Sequence, residues 1–431
     1  MSEALTAVLF AMAAGCLLWG VATPRNAYAF PFLAGLIVFT FVLPQSPGLI
    51  NAPFLPQGGY AKTVLMTCLC LACAVLGWRA TNAPFDVLRV RFSERRLNEV
   101  ATGFAIVGAY FYYSLSQLPG EQTIGVQISG APVVYLFFGR LLTYSLAIAS
   151  LCYAKRPSRW MLAVILFDLA FYFDRIVVTG KRAETAELCL ILALALWHHR
   201  RWTIPRGLLV VGLVGALVGA TSMADYRQVT RAHTAFVWSE ISEIDAGDNL
   251  EDLLKNGGPE LRNAILLISD TGRTGRFDYG AFHWNQVIWN YLPTSLGGAA
   301  FKQSLMLETP KDPRDFNPLT GTTMTGMVDA FRSFWYLGAA KFFLLAYVLR
   351  RLWNSAMEGQ ALGQFLYMLS AIPAMHAFSH TTDWVVSAWV HMAFFCIPVF
   401  AYARVRSPAP TLQTAGGGAH DVNGAEAGKD V

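Results

Sequence analysis

Three cationic side chains crowd the short stretch FYFDRIVVTGKRAETAEL, which joins two very apolar segments: Arg175, Lys181 and Arg182. Guanidinium groups suit phosphate oxygens because their planar donors form paired, charge-assisted hydrogen bonds. This turn is therefore a candidate anion site. Glu184 and Glu187 lie three residues apart on the following helix, so they face one way and could instead neutralise the cations locally.

A second cationic cluster occurs in TSMADYRQVTRAHTAF, at the end of a later apolar segment. Arg227 and Arg231 are four residues apart, which puts both on one face of a continuing helix. Asp225 and His233 lie beside them in the sequence. A merely solvated charged face is the alternative interpretation of this cluster.

A further stretch, SDTGRTGRFDYGAFHWNQVIWNYLPTSLGG, carries Arg273 and Arg276 in a predicted loop and His283 in a predicted helix. The same helix supplies three aromatic side chains, Trp284, Trp289 and Tyr291. Aromatic rings stack on sugar faces and also lie at bilayer interfaces, so the pattern alone leaves both roles open.

The composition predicts that membrane-crossing helices position these residues. The chain has 431 residues, of which 55% are hydrophobic and 14% charged, with a mean hydropathy of +0.41. Soluble domains carry nearer a quarter charged residues. Apolar stretches of about 20 residues recur along the whole length, which predicts an all-α polytopic membrane protein. No basic residue precedes the first stretch, which favours a retained span over a cleaved signal peptide.

Hydropathy predicts about eleven spans and one large loop, residues 224–327, that contains short helices. The predicted spans are 4–22, 28–46, 61–78, 100–117, 133–153, 159–178, 184–198, 207–223, 328–349, 361–376 and 384–403. Residues 1–223 and 328–405 thus form the two parts of a membrane domain. The tail 406–431 is rich in Gly, Ala and Pro without periodicity, and we expect it to be disordered.

Lys and Arg fall in alternate connections, which orients the chain by the positive-inside rule. The loop 79–99 has five of them, whereas PQSPGLINAPFLPQGGY and SQLPGEQTIGVQISGAP have none. The basic connections are therefore predicted to be cytoplasmic, with the N-terminus and the large loop outside and the C-terminus inside. Both cationic clusters then lie at the outer surface, where the rule disfavours them.

Ionisable groups inside spans are functional candidates by default. Arg140 and Asp168 have predicted depths that differ by only about 5 Å, and we expect them to pair. Asp329 and Arg332 share a helix face one turn below the outer surface. The deeper Lys341 is predicted to snorkel or to pair.

Three segments resemble oligosaccharide repeat-unit polymerases of the O-antigen polymerase type. VVTGKRAETAELCLILALAL resembles their Gly-x-Arg turn and following span, and IWNYLPTSLGGAAFKQ resembles their isoleucine–proline segment followed by lysine. GTTMTGMVDAFRSFWYLGAAKFFLLAYVLRRLW resembles their Thr-rich approach to a span with an aromatic–Gly step. The resemblance covers roughly residues 160–352 and departs at Pro293 and Thr294, where the family usually has Pro-Arg.

The resemblance implies a bacterial inner-membrane glycosyltransferase that joins repeat units carried on undecaprenyl pyrophosphate at the periplasmic face. Cationic side chains would bind the pyrophosphate and stabilise the charge that grows on it as the glycosidic bond breaks. The substrate-binding candidates are Arg175, Lys181, Arg182, Arg227, Arg231, Arg273, Arg276 and Arg332. The candidates for the base that deprotonates the acceptor hydroxyl are Asp225, His233 and His283.

The sequence contains no Asp-x-Asp motif, so we expect a reaction without metal or other cofactor. The product implied by the resemblance is O-antigen, capsule or exopolysaccharide, and the implied partners are a flippase and a chain-length-regulating co-polymerase. No nucleic-acid partner is expected, because the positive residues cluster in short loops between spans. Three alternatives stay open: an O-antigen ligase using the same lipid carrier, a polysaccharide or lipid flippase, and a non-catalytic component of polysaccharide export.

Overall fold

The computed structural model describes residues 1–118, 131–178, 180, 182–233, 237–292, 297–310 and 324–405. The regular elements in these ranges are helices, and one isolated bridge joins Phe92 to Arg404. The all-α class predicted from hydropathy is therefore confirmed for this part of the chain. The predicted tail 406–431 lies outside the described residues.

The helices of the first half are α1 (Ser2–Ala22), α2 (Phe30–Ile37), α3 (Gly59–Arg79), α4 (Glu94–Ser116), α5 (Ala131–Gly139), α6 (Leu141–Lys155), α7 (Arg159–Phe173), α8 (Arg182–Arg200) and α9 (Arg206–His233). Those of the second half are α10 (Trp238–Ile241), α11 (Ala246–Asn256), α12 (Pro259–Thr274), α13 (Ala281–Tyr291), α14 (Gly298–Ser304), α15 (Gly326–Phe334), α16 (Ala340–Met357), α17 (Ala361–His376) and α18 (Asp383–Ala403). Helices satisfy their backbone groups internally, which suits apolar segments that exclude water.

Within the described ranges, four helical segments are long and apolar enough to cross a membrane: α1, α3, α5 with α6, and α18. The bounds of several predicted spans differ from those of the observed helices. The predicted span 28–46 divides into α2, a π-helical stretch Val38–Val42 and a short 3-10 turn. The predicted span 133–153 breaks between α5 and α6, where Gly139 lowers helix propensity. Helix α9 continues well past its predicted end at residue 223.

Helices α3 and α16 pack along each other, and α17 packs against α2, α8 and α16. Aromatic rings in edge-to-face and tilted contact fill the space between them. The Trp353 ring lies 5.0 Å from that of Tyr367 and 6.2 Å from that of Trp78. The Tyr367 hydroxyl donates a 2.6 Å hydrogen bond to the carbonyl of Tyr28, so its polar end is also satisfied. Helix α6 is almost wholly buried among α4, α7 and α8.

Connections rich in Lys and Arg gather at one end of the bundle. Lys155 forms a 2.8 Å ion pair with Glu94, and Arg350 donates a 2.8 Å hydrogen bond to Asn82. Arg96 donates to the carbonyl of Tyr402 at 2.9 Å. These contacts join the segment 79–99 to α6, α16 and α18 near their C-terminal ends. The alternation of charged connections along the sequence thus corresponds to a spatial grouping.

The short helices of the large loop cover the opposite end. Helix α11 packs on residues 43–49, α12 packs on α3 and α15, and α13 packs on α18. The Gln45 side chain accepts a 2.9 Å hydrogen bond from the backbone N–H of Leu261, which satisfies a donor at the start of α12. The loop is therefore anchored to the ends of several bundle helices.

A 3-10 turn, Trp335–Ala339, separates α15 from α16 and interrupts the predicted span 328–349. The turn folds tightly against α15, because a Cβ added at Gly338 would lie 1.8 Å from the carbonyl oxygen of Ala330. The consequence is that Lys341, at the start of α16, lies beside α15 rather than a full helical rise beyond it.

We expect Gly338→Ala to lower the free energy of unfolding by roughly 1–3 kcal/mol, because the new methyl group displaces backbone at the turn. The control is Gly15→Ala on α1, where an added Cβ meets no atom within 4 Å. Both variants are heated in detergent, and the remaining folded protein is measured by size-exclusion chromatography. Equal midpoints for the two variants would contradict the close approach at Gly338.

Candidate functional site

The turn after α7 holds Arg175 in a π-helical stretch, Asp174–Val178. The Arg175 guanidinium forms an ion pair with Glu184, the first acidic residue of α8. It also lies over the rings of Tyr112 and Tyr172, at 5.8 Å and 5.7 Å from their centroids. Since the Arg175 side chain is only 17% exposed, its main visible role is to fasten α8 to α4 and α7.

Glu187, one turn along α8, serves a second cation. Its carboxylate accepts a 3.3 Å hydrogen bond from the Tyr172 hydroxyl and lies 3.9 Å from the Arg140 guanidinium. The Arg140 side chain is 47% exposed, whereas Glu187 is buried. Arg140 therefore keeps donors on the surface beside a carboxylate that fixes its position.

The predicted pair between Arg140 and Asp168 is wrong. Asp168 is buried and accepts a 2.6 Å hydrogen bond from the Ser145 hydroxyl on α6. Arg140 occupies the break between α5 and α6, which turns it towards α8. Similar depth in a membrane does not determine which way two side chains face around their helices.

Helix α9 holds the turn from the other side. The Arg227 Nε donates a 3.0 Å hydrogen bond to the carbonyl of Gly180, and the Tyr226 hydroxyl donates to the carbonyl of Val177. Gly180 has φ +61°, a left-handed conformation that a side chain would disfavour. The two cationic clusters that the sequence shows separately are thus in direct contact.

For three other predicted residues the structure describes only the position of the backbone. Arg182 is the first residue of α8, one position after Lys181, which lies outside the described residues. Arg231 and His233 lie in the last turn of α9, one turn beyond Arg227. The side chains of Arg182, Arg231 and His233 are outside the described part of the chain.

Asp225 has a visible structural partner. Its carboxylate accepts a 2.7 Å hydrogen bond from the side-chain amide of Asn249, which ties α9 to α11. This contact agrees with a positioning role, and the predicted role as base stays a prediction.

The remaining predicted arginines are Arg273 on α12, Arg276 in the connection after α12, and Arg332 on α15. Arg273 is 80% exposed and forms a 2.8 Å ion pair with Asp270. Arg276 and Arg332 line one small pocket of about 40 Å³, and Arg332 donates a 3.0 Å hydrogen bond to the carbonyl of Pro310. These cations are therefore held by helices other than those that hold the turn around Arg175.

His283 on α13 lies in a buried polar cluster. Its Nε2 is 2.7 Å from the Thr382 hydroxyl, which is 3.0 Å from a carboxylate oxygen of Asp329. The other carboxylate oxygen accepts from the backbone N–H of Thr382 at 2.5 Å. Lys341 lies 3.4 Å from the same carboxylate and donates to the Ser333 hydroxyl at 2.7 Å. The loop helix is thereby connected to an ion pair inside the bundle.

This chain of contacts determines the tautomer of His283. The Thr382 hydroxyl has one proton, which it donates to Asp329. Nε2 of His283 must then carry the proton that it donates to Thr382, which leaves Nδ1 as the basic nitrogen. Within the described residues Nδ1 is buried without a hydrogen-bond partner.

Burial and the neighbouring Lys341 lower the pKa of His283 from 6.5 to about 4. The imidazole is consequently neutral at pH 7 and able to accept a proton at Nδ1. The Asp329 carboxylate is 3.9 Å from Nε2 and would stabilise the imidazolium that forms.

Asp329, Lys341 and Thr382 support His283. The sequence marks Asp329 and Lys341 as candidates inside spans without a role at this site, and the predicted pairing of Lys341 is confirmed. Charged residues inside spans are the signal that points to Asp329 and Lys341. Thr382 carries no such signal, because its neighbours HTTD read as an ordinary turn. The sequence predicts a pair of Arg140 with Asp168, whereas the structure places Arg140 at the surface beside Glu187.

Helix α13 connects the histidine to the Arg140 side of the bundle. The Tyr291 hydroxyl donates a 2.5 Å hydrogen bond to the carbonyl of Ser387, and its ring lies 6.3 Å from that of Phe137. Eight residues separate His283 from Tyr291, a distance of about 12 Å along a helix. A basic nitrogen and a set of cations therefore lie on the same end of the bundle.

No family model matches the chain, and comparison with curated proteins and with solved structures finds no significant similarity. The resemblance described from the sequence is consequently the basis of a proposal.

We expect His283 to make stability depend on pH. Because its pKa is lower in the folded protein, the unfolded chain binds the proton more readily, and the stabilisation present above about pH 6.5 is lost as the pH falls towards 4. The loss between pH 6.5 and pH 5 should be roughly 2 kcal/mol. The free energy of unfolding is measured in detergent for wild type and for His283→Gln. Equal pH slopes in the two proteins would contradict the assignment.

Proposed function

We propose that this protein is a bacterial inner-membrane glycosyltransferase that polymerises undecaprenyl-pyrophosphate-linked repeat units for O-antigen, capsule or exopolysaccharide. In this proposal the chain has about eleven spans, a periplasmic N-terminus and a cytoplasmic C-terminus. The end covered by α10–α14 is then periplasmic, and the basic connections are cytoplasmic.

The observation that carries the proposal is the contact between the two outer cationic clusters, through Arg227 and Gly180. A lone cation at this surface would be a weak argument, whereas two sequence clusters meeting at one turn concentrate positive charge. Arg140 adds a half-exposed guanidinium beside α8. Together these groups form the kind of fixed cationic surface that stabilises a departing pyrophosphate.

The cations have different roles in this proposal. Arg175 is committed to Glu184 and the tyrosine rings, so it positions the turn more than it binds substrate. Lys181, Arg182, Arg227 and Arg231 bind the pyrophosphate, and Arg140 joins them. Arg273, Arg276 and Arg332 are candidates for contacts with the glycan, because Arg332 lies on α15, which packs against both α12 and α13, and Arg276 lines the same small pocket as Arg332.

Asp225, His233 and His283 stay the candidates for the base, and we propose His283 because its contacts with Thr382 and Asp329 fix its tautomer. In the proposed reaction the base takes the proton of the acceptor hydroxyl while that oxygen attacks the anomeric carbon of the donor sugar. The bond from that carbon to the pyrophosphate breaks, and the lipid pyrophosphate leaves with the bonding electrons. Asp329, connected through Thr382, holds the imidazole in the required tautomer. The proposal needs no divalent metal.

The test uses cells that lack this gene and are complemented with wild type, Arg182→Ala or Arg140→Ala. We expect both variants to reduce polymer roughly 100-fold, as the loss of a donor from a charge-stabilising site typically does. Undecaprenyl-pyrophosphate lipids are extracted, and their glycans are sized by mass spectrometry. Arg262→Ala is the matched control, because Arg262 is exposed on α12 and lies over the Phe54 ring at 5.0 Å.

The alternatives give different lipids in the same experiment. A polymerase leaves single repeat units that are accessible from the periplasmic side of spheroplasts. A ligase leaves long lipid-linked polymer, and a flippase leaves single units that are inaccessible until the membrane is opened. Unchanged lipids in the deletion strain would overturn the catalytic proposal and favour a non-catalytic export component.

A further inference from the structure

A large open cleft lies at the end of the bundle that carries the basic connections. Its volume is about 1490 Å³, and its walls come from α4, the end of α6, the start of α7 and the turn before α17. The cleft is therefore at the opposite end from the proposed catalytic surface. Nothing in the proposed glycosyl transfer uses it.

The lining of the cleft contains more cationic than acidic side chains. Five of the lining side chains are Lys or Arg, and three are Glu. Glu94 serves two of the cations, Lys155 at 2.8 Å and Arg156 at 4.0 Å. The Arg91 guanidinium has no ion-pair or hydrogen-bond partner within the described ranges. Arg89 and Arg95 are paired with other carboxylates. The positive charge left for an entering anion is therefore that of Arg91 and of the two cations that share Glu94.

Apolar side chains also line the cleft, and this apolar surface continues onto an exposed helix face. Ile106 on α4 is 63% exposed and Trp160 on α7 is 60% exposed. The Trp160 indole donates a 3.0 Å hydrogen bond to the Thr102 hydroxyl, which fixes its ring in the cleft wall. The exposed apolar surface extends along α7 to Leu166. Such a surface is suited to hydrocarbon chains, and a Trp at its polar edge is typical of the membrane interface.

We propose that this cleft binds a phospholipid with an anionic headgroup. The phosphate lies between Lys155, Arg156 and Arg91, and the acyl chains run along α4 and α7 beside Ile106 and Trp160. Basic pockets between membrane helices on the cytoplasmic side bind anionic headgroups for the same physical reason. The proposal depends on the cleft and its charges and is independent of the reaction at the other end.

Gly103 offers a way to fill the cleft without disturbing the fold. It lies on the lining of the cleft, and an added Cβ there meets no atom within 4 Å. Leu in place of Gly also favours the helix, so Gly103→Leu should fold. The matched control is Gly15→Leu on α1, where an added Cβ is equally unobstructed.

The experiment titrates delipidated full-length protein in detergent with phosphatidylglycerol, phosphatidylethanolamine or undecaprenyl phosphate and counts bound lipids by native mass spectrometry. We expect one tight site for phosphatidylglycerol, about tenfold weaker binding of phosphatidylethanolamine, and loss of that site in Gly103→Leu but not in Gly15→Leu. Arg156→Gln should weaken phosphatidylglycerol binding about fivefold. Thermal midpoints equal to wild type establish that each variant is folded.

Three outcomes would overturn the proposal. Equal affinity for phosphatidylglycerol and phosphatidylethanolamine would remove the role of the cations. An unchanged site in Gly103→Leu would place the bound lipid elsewhere. Displacement of phosphatidylglycerol by undecaprenyl phosphate at lower concentration would make the cleft a polyprenyl-phosphate site. None of these results depends on whether the protein polymerises glycans.

Discussion

The Asp329 carboxylate is buried among apolar helices, and its charge is balanced and hydrogen-bonded by groups from three other parts of the chain. Lys341 supplies the opposite charge from α16, Thr382 supplies two donors from the turn before α18, and His283 reaches the same group through Thr382. Removing one partner from a buried pair typically costs about 3–5 kcal/mol, because it leaves a charge without compensation. The 3-10 turn Trp335–Ala339 between α15 and α16 makes this arrangement possible, because it brings Lys341 beside Asp329. It also brings His283 of the loop helix α13 into contact with Thr382.

A second set of buried acids balances the cations at the end of the bundle that α10–α14 cover. Glu184 and Glu187 lie one turn apart on α8 and engage Arg175 and Arg140 respectively. The acids reduce the net charge of the turn, while Arg140 remains half exposed. In the proposed site the arginines are therefore held before substrate arrives. Such preorganisation is the general requirement for stabilising charge that develops on a leaving group.

Much of the helical architecture could be predicted, because a long apolar segment that excludes water must satisfy its backbone hydrogen bonds internally, as a helix does. Local neutralisation of Arg175 by Glu184 could also be predicted, because the two residues lie on either side of one short turn, nine positions apart. The predicted Arg140–Asp168 pair is wrong because the sequence gives the depth of each residue along its helix but not the direction in which its side chain points around the helix axis. Thr382 and Asp329 are 53 residues apart in the sequence, and no periodicity links them. Contacts of that kind depend on how separate helices are brought together.

The most direct test of the account is reaction of the purified protein in proteoliposomes with a single undecaprenyl-pyrophosphate-linked repeat unit. Lipid products are sized by mass spectrometry, and released undecaprenyl pyrophosphate is quantified in the same samples. The account predicts a ladder of lengthened lipid-linked glycans, with one lipid pyrophosphate released for each unit added. Folded wild-type protein that leaves the repeat unit unlengthened, although the unit is accessible at the face carrying α10–α14, would contradict it.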